Sequence, residues 1–161
     1  MIPRRTTIAF NIHDTPIPQG SKRNYGKGRV VENNHERQQP WREAVKTKAL
    51  NTMLELNGGE VKLPMFARDE PVGIEIIFTF ARPRSHYRTG RFADAIKISA
   101  PSEHAGSPDL DKLVRGVFDA LTAAGVWWDD RQVARLIARK EYTNPRMQTP
   151  GATIRITGDR T

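Results

Sequence analysis

The chain contains no cysteine, which excludes a disulfide framework, thiolate-bound zinc and a cysteine nucleophile in one step. Long apolar runs are missing too. The most apolar stretch, residues 74–80, is far shorter than the roughly 20 residues that cross a bilayer, so no membrane association is expected. The basic start Met1-Ile2-Pro3-Arg4-Arg5 leads into residues 8–12, which Asn11 interrupts, and not into the sustained apolar segment of a signal peptide; the expected location is the cytoplasm. Aromatic residues make up 7% and hydrophobic residues 37%, so a modest core and a polar surface are expected, in line with a mean hydropathy of −0.61. At 161 residues the chain has the length of a single domain.

What the chain has in excess is positive charge. Lys and Arg number 26 against 18 Asp and Glu, a formal charge of +8, and the isoelectric point is near 10.2. Such a balance favours an anionic polymer or an anionic surface as partner, nucleic acid first. The excess lies toward the start: residues 1–48 hold ten Lys and Arg against four Asp and Glu. Within them Lys22, Arg23, Lys27 and Arg29 are interleaved with Pro18, Gly20, Gly26 and Gly28, so residues 13–39 read as a basic, mobile loop available for DNA phosphates.

Periodicity predicts the order β-α-β-α-β-β in a single domain with two main helices. Residues 6–12 suit a short strand. Residues 40–56 carry apolar side chains at three- and four-residue steps before Gly58-Gly59, a helix with a glycine stop. Ile74, Ile76, Phe78 and Phe80 alternate with Glu75, Ile77 and Thr79, which predicts a strand over 72–80. Residues 82–107 follow neither period and hold Arg82, Arg84, Arg88 and Arg91; a loop of that length is functional or disordered, and Arg82 and Arg84 are DNA-contact candidates. Pro108 then opens a helix whose apolar stripe runs from Leu110 to Ala124 and stops at Gly125. Strands over 132–142 and 152–156 precede a frayed tail at 157–161.

The acidic residues are informative because they cluster in a basic protein. Asp109, Asp111, Asp119, Asp129 and Asp130 fall within 22 residues around the second helix. A polyanion binder has little use for them unless a cation stands between them and the phosphate. Carboxylate oxygens without sulfur or paired histidines suit Mg²⁺, with Mn²⁺ as a substitute, and metal-bound water can hydrolyse a phosphodiester. The residues also admit a bland reading, in which Asp109 and Asp111 cap a helix and Asp129-Asp130 form a turn. Asp129 and Asp130 return beside the first pair only if the following strand packs near the helix start. Asp111, Arg115 and Asp119 stand four apart on one helix face, so either acid or a phosphate can hold Arg115, with Asp119 an orienting partner and not a metal ligand.

The string from Ser107 through Pro108-Asp109-Leu110-Asp111-Lys112 and Gly125-Val126-Trp127-Trp128-Asp129-Asp130-Arg131-Gln132 to Val133 resembles the signature of the RusA family of Holliday-junction resolvases of bacteria and phages. Residues 18–23 and 82–87 resemble looser features of phage-type members. The resemblance implies a small α+β homodimer, with a mixed sheet, that binds four-way DNA junctions and nicks two strands symmetrically in recombination and repair, with Mg²⁺ and no small-molecule cofactor. It implies Asp109, Asp111 and Asp130 as metal ligands, with Asp129 as a possible helper. The family's basic residue one turn into the helix, often lysine, is Arg115 here, and Lys112 replaces an asparagine of some members, so the basic role falls to Lys112 or Arg115. A non-catalytic branched-DNA-binding module and a less selective flap or duplex nuclease are the alternatives.

Weaker claims attach to His13, His35, His86 and His104, which show no ligand spacing, and to Trp127-Trp128, whose indoles suit core or dimer packing before base stacking. Phe118 and Tyr142 suit the core. A two-fold junction needs two sites and the chain has one carboxylate cluster, hence the dimer; the apolar faces of helix 40–56 or strand 72–80 are its expected surfaces.

Overall fold

Alternating apolar residues build one face of a mixed sheet, and two helices cover it. The computed structural model describes residues 5–20, 22–24, 30–32, 35–60, 62–144 and 149–159, without the side chains of 22–24, 30–32, 35 and 159. In chain order the elements are β1 (Arg5–Ile12), β2 (Lys22–Asn24), β3 (Val30–Glu32), α1 (His35–Leu56), β4 (Val72–Phe80), α2 (Leu110–Ala123), β5 (Val133–Tyr142) and β6 (Gly151–Asp159). The main sheet has the order β1-β6-β4-β5; β6 is antiparallel to β1 and β4, while β4 and β5 are parallel. This is the expected α+β class.

Register makes the core. Ile8, Ile156 and Ile74 stand in one cross-strand row, Phe10, Ile154 and Ile76 in the next, and Ile12, Ala152 and Phe78 in a third. All are buried. A one-residue slip would turn these rows to solvent, which is why the period-two pattern specifies the pairing so firmly. From α1, Trp41, Val45, Ala49 and Met53 join them at four-residue steps; from α2 come Leu113, Val117, Ala120 and Leu121. Truncating Ile154 to Ala should cost about 2–5 kcal/mol. Gly125, at φ +71°, ends α2 in the left-handed conformation that side chains avoid.

Several expectations change. The segment 13–39 carries the hairpin β2–β3, in which Lys22 pairs with Glu32 and Arg23 with Val31, so it is not wholly a loop. Lys27 and Arg29 lie outside the described residues. Helix α1 starts at His35, ahead of Pro40, and its leading turn packs Gln38 against α2 at Gly116, where an added Cβ would stand 3.3 Å from Gln38 Nε2. Pro40, five residues into the helix, forfeits only one hydrogen bond. The supposed tail belongs to β6 as far as Asp159, since Thr157 and Gly158 are paired on both sides, with β1 and β4. The two proposed dimer faces, on α1 and β4, are spent on the core. Apolar side chains left exposed include Leu136 and Ile137 on the edge strand β5.

Residues 82–107 are an ordered arm. Tyr87 bridges Ile96, Arg88 N–H donates to Ala95 O and Lys97 N–H to His86 O, with short 3₁₀ turns at Arg84–His86 and Gly90–Phe92. The arm then returns along the end of β5, where His104 N–H donates to Lys140 O and Tyr142 N–H to Ser102 O. Among the described residues no helix is long and apolar enough to cross a membrane.

Candidate active site

Asp109 precedes α2 in extended backbone, at φ −65° and ψ 135°, and makes no side-chain cap hydrogen bond. Its carboxylate goes instead to Lys112 Nζ at 2.7 Å. That ion pair holds the Asp109 carboxyl below its usual range and the Lys112 ammonium above its own, through the hydrogen bond first and charge second. Asp111, in the first turn, points its exposed carboxylate toward Arg115 at 3.8 Å, one turn on. Asp119 does not share Arg115: it accepts from Gln19 Nε2 at 3.2 Å and faces Arg42 of α1 at 3.7 Å, fastening the helices together. Gln19 N–H also donates to Lys112 O at 3.1 Å, so the chain that leads into β2 is pinned to α2.

The other acids arrive with β5. Asp129 caps the 3₁₀ turn Asp130–Gln132 by accepting the Arg131 N–H at 3.0 Å, and that bond lowers its carboxyl below the ordinary range. For Asp129 the turn reading therefore holds. Asp130 is exposed. Because α2 packs across the start of β5, Asp130 and Asp111 line one groove of about 680 Å³, with Arg115 on its wall and Val114, Phe118 and Leu136 among its apolar lining. Trp127 lies under it, buried, its indole N–H donating to Thr122 Oγ1 at 2.8 Å and its ring edge meeting Phe118, while Trp128 is 57% exposed and carries Arg68 over its ring.

Two positioning residues escape a sequence reading. Gln132 accepts Trp128 N–H through Oε1 at 2.8 Å and donates through Nε2 to Ala67 O and Glu70 O at 2.7 and 3.2 Å, which ties the turn bearing Asp130 to residues 65–70. Lys140 Nζ donates to Gly106 O and Pro108 O at 2.6 and 2.7 Å, holding the approach to α2 against β5. Nothing in the local pattern marks a lysine in a strand or a glutamine after a turn as a clamp; the backbone carbonyls they hold lie 32 to 65 residues away. Arg82 also turns inward: Nε donates to Thr143 O at 3.0 Å, Nη1 to Pro101 O at 2.7 Å, and the guanidinium lies over Tyr142. Arg84 is exposed on the arm.

Among the described residues no three acidic or histidine side chains gather into a metal-holding group. Asp111 and Asp130 share the groove, whereas Asp109 is held by Lys112. Mg²⁺ is commonly bound through one or two carboxylates and completed by water and substrate phosphate. An all-oxygen pair on an open groove fits that habit.

The family model described as Endodeoxyribonuclease RusA matches residues 15–157, nearly the whole chain. The chain belongs to the RusA family. It is thus an endodeoxyribonuclease by family, and RusA proteins act on branched DNA. The match takes in the whole of α2, the groove and the arm. A search of curated proteins returned no match.

Proposed function

We propose that this RusA-family chain is a Mg²⁺-dependent endodeoxyribonuclease that resolves four-way DNA junctions by symmetric phosphodiester hydrolysis. The observation that carries the reading is the meeting of Asp111 and Asp130, 19 positions apart in sequence, on one groove beside Arg115. Asp111 and Asp130 would hold the metal, with Asp109 joining once released from Lys112. The bound ion supplies a Lewis acid for the phosphoryl oxygens and a more acidic water. Arg115, always charged, offsets charge that develops on the phosphate but cannot donate a proton at neutral pH. Lys112 holds Asp109 until substrate arrives and then offers its ammonium to the phosphate. Gln132 and Lys140 fix the two chain segments whose relative placement sets the distance between the carboxylates. The protein acts as a homodimer, one groove per cut strand, and edge strand β5 supplies exposed apolar side chains for that contact.

The test is incubation of the purified protein with a synthetic four-way junction in Mg²⁺, in Mn²⁺ and in chelator, with light scattering for the dimer. Paired nicks at symmetric positions, lost in chelator, are expected. The Asp109–Lys112 pair and the absence of a three-acid group among the described residues favour a second reading, a binding module; junction binding without cleavage in either metal would decide for it. Equal cleavage of flaps and linear duplex would decide for a less selective nuclease.

A further inference from the structure

The arm carries its own cationic site, and none of its lining residues is shared with the acidic groove. A recess of about 960 Å³ lies within the arm, with Arg84, Arg88 and Lys97 around it and Asp94 as its only acid. Beside it, the guanidinium carbons of Arg88 and Arg91 stand 5.0 and 4.9 Å from the centre of the Phe92 ring, which is itself 47% exposed. Among the described residues, Arg84, Arg88 and Arg91 form no ion pair. Two guanidiniums gathered at one exposed phenyl ring, with no ion pair of their own among the described residues, keep N–H donors for an anion. The backbone that presents them is already ordered by the Tyr87–Ile96 bridge, and Lys97 Nζ braces it by donating to Ser85 O at 2.8 Å. Binding an anion there therefore orders little that is not ordered beforehand.

Guanidinium forks match phosphate oxygens two at a time, and a row of them on a rigid hairpin matches successive phosphates along a strand. We propose that the arm is a second DNA-contact site, a phosphate clamp in which Phe92 positions Arg88 and Arg91 while Arg84 and Lys97 take the neighbouring phosphate in the recess. It rests on the reading of the chain as a DNA-cutting enzyme, and extends it from the cut to the grip. Phe92 acts through the two arginines, so its role is positioning. The arm contributes affinity and register, because phosphate contacts orient a protein on DNA without reading bases.

The experiment is fluorescence anisotropy of a labelled synthetic four-way junction with the full chain, in chelator, across a salt series. Each phosphate contact contributes about 0.9 to the slope of log affinity against log salt. The double variant Arg88→Gln/Arg91→Gln should bind about tenfold or more weakly at moderate salt, with the slope flattened by about 1.8. Phe92→Ala should move affinity and slope in the same direction by less, and Phe92→Tyr should restore both. Circular dichroism melting shows whether each variant is folded; the surface substitutions should leave it unchanged. If the double variant is folded and keeps the parent's affinity and slope, the clamp is refuted. A parent that binds junctions with a steep slope but never cuts them refutes the proposed function alone, whereas a parent that cuts while the double variant keeps its slope refutes the clamp alone. A parent that binds no DNA refutes both.

Discussion

The groove between α2 and β5 and the arm at 82–107 differ in nearly every physical respect. The groove is made from the ends of regular elements, is lined by Asp111 and Asp130, and draws its two acids from chain segments that only packing brings together. The arm is one continuous excursion, cationic, and held by its own hairpin bonds and by bonds to β5. Chemistry on phosphorus needs groups fixed to within a fraction of an ångström, which helices and strands provide; gripping a polyanion needs charge at roughly the right spacing, which a hairpin provides. Rate and affinity should therefore be separable by mutation.

The largest effect expected is on rate. Asp111→Asn keeps shape but removes one carboxylate charge from the groove, so junction cleavage should fall by about 100-fold or more, while binding is kept or tightened because the groove repels DNA less. Quench-flow or gel kinetics beside anisotropy would check it; cleavage near the parental rate would erase the distinction between the two regions. Next comes the hairpin β2–β3. Lys22→Ala/Arg23→Ala should weaken junction binding by about tenfold and flatten the salt slope by about 1.8, with the single-turnover rate at saturation unchanged. An unchanged slope would show that the basic segment next to α2 does not meet phosphate.

A smaller effect tests how the groove is held. Gln132→Ala removes the bonds that tie the Asp130 turn to residues 65–70, and should lower the cleavage rate by about five- to tenfold and stability by about 1 kcal/mol without touching the salt slope. A loss of affinity in place of rate would move Gln132 out of the groove's support.

The smallest effect concerns the foot of the arm. His104 sits between Phe80 and Tyr142, and burial, followed by the charge of Lys140, pushes its imidazole below its ordinary value. The folded state thus binds a proton less readily than the unfolded one. Stability on this account is full above the unfolded pKa and declines as pH falls from there through the depressed folded value. Melting temperature should drop by a small amount between pH 7 and pH 5, and His104→Gln should flatten that drop. A parent and variant with identical pH profiles would show that the imidazole is neutral to folding.

Element by element, legibility followed range. Strand β4 was readable to the residue, because alternation is a local property and one face of the sheet is buried. The stop of α2 at Gly125 was equally readable. The start of α1 was not, since its leading turn packs at Gly116 of a different helix. The arm defeated periodicity because its order comes from bonds between its two limbs and to β5, and it has no repeating pattern of apolar residues.

The chain alone determined its class of fold, its basic character, its lack of thiol chemistry and the string from Ser107 to Val133 that carries its family. Each of these is composition, period or a likeness in the residues themselves, and each is present in the extended chain. Tertiary structure decided which acids share a groove, that Asp109 is held by Lys112 and Asp129 by its own turn, that α1 and β4 spend their apolar faces inside the chain, and that Arg82 braces the arm from within. Those outcomes depend on contacts between segments tens of residues apart. A sequence pattern records what each segment prefers, and only packing settles which partner it meets.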